Sequence, residues 1–206
     1  MTMREEDQKP SLRISHIVYG RESAGNRVKY LVDPHGKGDE KAVPETVVLK
    51  RWRKRRSPGY VFGGSRLSST FWRAVAAAFP YKADRICTLD MHELEVTIKS
   101  AREALRDKYL ELPSADCLRA IFAVVGPERL PLFLQRHASP EHQGHSGVPD
   151  LFLFATRIET GFPAIARFVE VKKPEEKISA DQLAEIDFLN KNGLHAQVLR
   201  LIEREQ

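Results

Sequence analysis

The chain has 206 residues, 42% of them hydrophobic and 30% charged, which is enough apolar material for a real core and excludes a disordered polymer. No apolar run approaches the roughly 20 residues that span a bilayer, and the opening MTMREEDQKP is too acidic for a secretory signal, so a cytoplasmic protein with no membrane contact is expected. The net charge of +5 divides unevenly, with +9 on residues 1–89 and −4 on residues 90–206, which suits a front that faces a polyanion and a back that works with carboxylates.

Residues 1–42 form a poorly patterned N-terminal segment in which SLRISHIVYG and RVKYLVD read as short strands and DPHGKGDE as a loop. From Val43 to Gln206 a single domain is expected. Its first part, residues 43–137, reads as mostly helical. VPETVVLKRWRKRR sets Val48 and Trp52 one turn apart, SPG breaks it, and Gly63-Gly64 reads as a turn. LSSTFWRAVAAAF repeats Leu67, Phe71, Val75 and Phe79 on one face and stops at Pro80. A longer helix starts at Asp90 with Glu93 as its capping-box partner, and Pro113 ends it. SADCLRAIFAVVG, with Gly126 as its exit, and PERLPLFLQRH follow as two helices. Cys87 and Cys117 form no CxxC pair, which excludes a disulfide framework or a thiolate zinc site.

After the polar stretch ASPEHQGHSG the period changes from helical to alternating. In residues 146–206, DLFLFA and ARFVEVK predict a hairpin across TGFP. SADQLAEIDFLNKNG predicts a helix with Ser179 and Gln182 as a capping box, and HAQVLRLI a last strand. Asp150 opens the first of these strands, while Glu170 and Lys172 share one face of the second, between Val169 and Val171. Charges on such a strand need compensation. A divalent cation held by Asp150, Glu170 and the Val171 carbonyl would supply it, with Lys172 facing a phosphate; spacing alone favours a surface salt bridge on an edge strand, from Glu170 to Lys172 or Lys173.

The order GHSGVPDLFLF, then FVEVKKPEEKISADQ, then HAQVLRLI resembles the VRR-NUC family, a branch of the PD-(D/E)XK nucleases, over about the last seventy residues. The resemblance implies an α/β fold, a small mixed restriction-endonuclease-like sheet flanked by helices with a helical N-terminal part. It also implies Mg²⁺ or Mn²⁺ on Asp150, Glu170 and the Val171 carbonyl, Lys172 as the catalytic lysine, and Gln182 in support. Upstream, the chain resembles the nuclease end of Fanconi-associated nucleases, where a Gly-Glu-Gly-Ser turn supplies a further ligand. Phe62-Gly63-Gly64-Ser65 stands in that place, so the acid is absent, or Glu45 replaces it, or water does; alone, Glu45 is an ordinary first-turn acid.

Six cations, Lys50, Arg51, Arg53, Lys54, Arg55 and Arg56, surround Trp52, and Arg66 and Arg73 extend them. The charges read as a grip on phosphates and Trp52 as a core residue. His137, His142 and His145 match no ligand spacing and read as solvated loop histidines. The whole predicts a metal-dependent DNA nuclease with no nucleotide cofactor, reading branched or structured DNA because no base-reading motif is visible. Because the chain lacks the long DNA-binding and helical-repeat regions of the Fanconi-associated enzymes, two settings fit: a bacterial or phage repair nuclease, or an antibacterial toxin with a cognate immunity protein. A dimeric junction resolvase shares the chemistry. A nuclease fold that binds DNA or a partner without cutting is the alternative, motivated by Gly63.

Overall fold

The computed structural model describes residues 13–19, 21–24, 27–31, 40–139 and 147–203. The predicted loop DPHGKGDE, apart from its last residue, and the histidines His142 and His145 lie outside them.

A five-stranded mixed sheet forms the centre, in the order β1 (Ile14–Tyr19), β8 (Ala196–Glu203), β7 (Pro163–Lys172), β6 (Leu151–Arg157), β5 (Tyr60–Arg66). β1, β8 and β7 run parallel to one another, and β6 is antiparallel to both β7 and β5. The predicted β6–β7 hairpin is present, and so is the terminal strand. A small antiparallel sheet, β2 (Arg21–Ala24), β3 (Arg27–Leu31) and β4 (Lys41–Ala42), stands beside it.

Alternation along β6 and β7 sorts the core into two faces. Leu151, Leu153, Ala155, Val169 and Val171 pack against helix α1 (Pro44–Arg53) and Tyr30 of β3. Phe152, Phe154 and Phe168 face the other helices: α2 (Phe71–Ala78), α3 (Ala83–Thr88), α4 (Met91–Asp107), α5 (Ala115–Ala138) and α6 (Ala180–Lys191). Trp72 of α2, fully buried, joins this layer by stacking near Phe133 and Phe168. The expected capping boxes are both formed, Asp90 with Glu93 at α4 and Ser179 with Gln182 at α6. α5 joins the two predicted helices across a kink at Gly126, whose φ of 73° leaves the helical region.

The turn expected at Gly63-Gly64 is corrected by β5, which runs through both glycines. They are glycine because neighbours fill their side-chain space. A Cβ on Gly63 would stand 2.4 Å from the Phe154 ring, and one on Gly64 would stand 2.8 Å from the Phe152 carbonyl. Trp52 closes this edge by donating from Nε1 to the carbonyls of Gly63 and Phe154, at 2.8 and 3.0 Å, so it is a core residue as its helical position predicts.

Candidate active site

The ladder of β6 and β7 pairs Leu151 with Val169 and Phe152 with Phe168, so one step outward Asp150 stands opposite Glu170, and one step further Pro149 stands opposite Val171. Proline has no N–H, and the ladder ends there. The Val171 N–H is taken instead by the Asp150 carboxylate, at 2.8 Å to Oδ2. A strand residue points its N–H and C=O to the same side. The Val171 carbonyl therefore faces the flank where Asp150 lies, with no N–H from Pro149 to pair it. Upstream, the Leu67 N–H donates to the Asp150 carbonyl at 2.8 Å and ties the end of β5 to the same point.

Glu170 and Lys172 share the face of Phe168, toward α6, and are 2% and 4% exposed, which rules out the surface salt bridge. Glu170 Oε1 accepts from Gln182 Nε2 and lies 3.1 Å from Lys172 Nζ. Gln182 thus caps its helix through Oε1 and supports Glu170 through Nε2. Gly147, at φ 59°, lets the chain before Asp150 lie against the start of α6, because a Cβ there would stand 2.3 Å from the Asp181 carbonyl.

The electrostatics are those of crowded acids. Burial raises the Asp150 carboxyl; the Val171 N–H works against this, and the charge of Glu45 raises it further. Burial and then the Asp150 charge push Glu170 up to about 7. Burial would lower Lys172, but its hydrogen bonds with Glu170 and Glu176 outweigh this and hold it above its ordinary value. The oxygens gathered here are hard donors, which fit a divalent cation of the Mg²⁺ class. Among the described residues, no group of three or more His, Cys, Asp or Glu could hold a metal ion by itself. A cation would therefore draw its other ligands from the Val171 carbonyl, water and substrate.

Gly63 stands far from this point. It pairs with Phe154, four residues along β6 from Asp150, with the Phe154 ring in its side-chain space. Glu45, in the first turn of α1, is the upstream acid whose charge reaches Asp150. In the basic run, Lys50 pairs with Glu40, Arg53 donates to the Gly64 carbonyl, and the Arg55 guanidinium lies 4.9 Å from the Trp52 ring centre. Arg53, Lys54, Arg55, Arg56 and Arg66 are exposed, while Lys50 and Arg51 are half-buried.

The reading of His137 as a solvated loop residue is corrected: it lies in α5, 2% exposed, with Nε2 2.9 Å from Glu185 Oε1. Arg136 Nε donates to the other oxygen of Glu185 at 2.9 Å. The signal for this cluster was an acid in the apolar stripe of α6, between Gln182 and the buried Ile186 and Leu189. Sequence reasoning also missed Glu176, whose Oε1 lies 3.1 Å from Lys172 Nζ; its position four residues after the lysine was the available hint.

A family model described as the VRR-NUC domain matches residues 91–201, just over half of the chain, which takes in β6, β7, α6 and β8 as far as Leu201. The chain belongs to the VRR-NUC family of nucleases. No curated protein matches it. Among solved structures, this VRR-NUC chain is similar to paFAN1 bound to 2nt 5′ flap DNA with gap, with a TM-score of 0.58 and 14% identity over 98% of this chain and 40% of that one. It is similar also to paFAN1 bound to 1nt 5′ flap DNA with gap, with a TM-score of 0.56 and 16% identity over 96% and 39%. The chain thus spans about two fifths of the length of those proteins, and at this identity the likeness is one of fold. Among the described residues no helix is long and apolar enough to cross a membrane.

Proposed function

We propose that this VRR-NUC chain is a PD-(D/E)XK-type nuclease that hydrolyses phosphodiester bonds of branched or otherwise structured DNA with Mg²⁺ or Mn²⁺. The observation that carries this reading is the register that sets Asp150 opposite Glu170, with Lys172 on the same face and the Val171 carbonyl turned toward Asp150. Asp150, Glu170 and the Val171 carbonyl would hold the cation, with Glu45 as the upstream acid. When bound, the cation supplies a more acidic water and neutralises charge on the phosphate. Gln182 fixes one oxygen of Glu170, and Lys172 donates to the reacting phosphate group. Lys50, Arg51, Arg53, Lys54, Arg55, Arg56 and Arg66 would hold the DNA backbone through salt-sensitive phosphate contacts.

Branched DNA is supported by the paFAN1 structures, which hold 5′ flap DNA. Repair and toxin roles use the same chemistry; toxicity on expression alone, relieved by a small acidic partner, separates them. The reading of a fold that binds without cutting rests on Gly63, which lies in β5 opposite Phe154, four residues along β6 from Asp150.

The test is cleavage of supercoiled plasmid, linear duplex, flap and junction DNA with Mg²⁺, Mn²⁺ or EDTA. We expect metal-dependent cutting, with a loss of about 10²- to 10³-fold in Lys172→Ala and at least as much in Asp150→Ala. DNA binding without cutting in any metal would overturn the enzyme reading.

A further inference from the structure

Lys172 ends a long flexible stem, and an ammonium has three N–H donors to place. Two are committed in the structure. Glu170 Oε1 takes one from the buried side, where both residues are almost fully enclosed. Glu176 Oε1 takes the other, at 3.1 Å, from a side chain that is 42% exposed and stands at the mouth of the site. Glu176 is itself fixed: its Oε2 accepts from the Lys173 N–H, and its own N–H donates to the Lys173 carbonyl, both at 3.3 Å.

The turn that presents Glu176 is held from the neighbouring strand. Arg200 is the residue of β8 that pairs with Lys172. Its Nη1 reaches the carbonyls of Lys173, Pro174 and Glu176 at 2.8, 2.6 and 3.0 Å. The strand position beside the lysine therefore builds the turn whose carboxylate orients that lysine.

We propose that Glu176 is a positioning residue for Lys172, set in place by Arg200, which balances the pull of Glu170 and leaves the third N–H of the ammonium for the scissile phosphate. This rests on the nuclease reading for its effect on rate, and on geometry alone for its effect on Lys172. Without Glu176 the ammonium keeps one carboxylate partner, Glu170, whose same oxygen is shared with Gln182.

Two measurements test it on the full chain. In single-turnover cleavage of flap DNA, Glu176→Ala is expected to slow cutting about 10- to 100-fold with unchanged affinity for DNA and Mn²⁺, as loss of an outer orienting partner does. Arg200→Ala should slow it in the same direction and add nothing to Glu176→Ala, and Glu176→Ala should add nothing to Lys172→Ala. Additive effects, or an unchanged rate, would overturn the proposal.

In NMR of ¹⁵N-lysine-labelled protein, we expect an exchange-protected ammonium signal that is absent from Lys172→Ala and is lost from folded Glu176→Ala. Its persistence in Glu176→Ala would overturn the proposal whether or not the protein cuts DNA. Failure of the wild type to cut DNA would strike the nuclease reading instead.

Discussion

Helix α6 touches two buried ionic clusters, and they are built on opposite principles. Glu185 gives one oxygen to Arg136 and the other to His137, and the Arg136 guanidinium also lies 4.3 Å from the Phe188 ring centre. That cluster is closed, with each oxygen of the acid partnered. One turn away Gln182 touches the other cluster, where Asp150 and Glu170 share Lys172 while the charges of Glu45 and Glu176 bear on Asp150 as well. Acid outnumbers base there, and both facing carboxyls are pushed up. The first cluster joins helices; the second is short of positive charge, which a cation would supply.

The largest expected difference comes from opening the closed cluster. Glu185→Ala removes the acceptor shared by Arg136 and His137 in a buried place and should cost about 3–5 kcal/mol in urea unfolding. An isosteric Glu185→Gln that costs little would show that shape and hydrogen bonding, and not charge pairing, hold α5 to α6.

In the open cluster the sign reverses. Glu170 has a raised pKa, near 7, in the folded protein, so it binds a proton there that the unfolded chain has released above its ordinary value of 4.5. The metal-free protein is therefore expected to lose stability as pH rises from about 4.5 to about 7 and to change little from this group beyond. Glu170→Gln, which keeps an acceptor for Gln182 and Lys172 and removes the charge, should raise metal-free stability at pH 8 by roughly 1–3 kcal/mol while abolishing cleavage. Thermal melts across pH, with and without the substitution, would show it. A Glu170→Gln protein that is less stable at pH 8 would mean that the carboxylates are already balanced.

The smallest effect should come from the missing charge itself. Mn²⁺ at a few times its Kd should stabilise the wild type by roughly 1 kcal/mol, leave Glu170→Gln unmoved, and offset the deficit of Glu185→Ala by the same amount as in the wild type. Equal stabilisation of all three proteins would place the cation elsewhere.

Much of this was written locally. The capping pairs Asp90 with Glu93 and Ser179 with Gln182 fixed helix starts, and the change from helical to alternating period before Asp150 marked the hairpin. Within the site, Asp150, Glu170 and Lys172 stood out as charges on apolar strands, and the register brings them together. What was hidden depends on partners distant in the chain. β5 read as a turn because Gly63 and Gly64 look like breakers until the Phe154 ring and the Phe152 carbonyl occupy their side-chain space. His137 read as solvated because Glu185 lies 48 residues away. Arg200 carried no signal, since its role exists only once β8 lies beside β7.

The parallel pairing of β1 with β8 bears on how the protein is made. Among the described residues the main-sheet partner of Ile14–Tyr19 is Val198–Glu203, so that pairing waits on β8, which follows every other described element in the chain. β7, with Glu170 and Lys172, likewise waits for β8 to cover its far edge and for Arg200 to arrive. Closing so long a loop is slow, and a nascent chain can hold its helices early while the ends of β6 and β7 stay unassembled. The site proposed to cut DNA is thereby unassembled until β8 has been made.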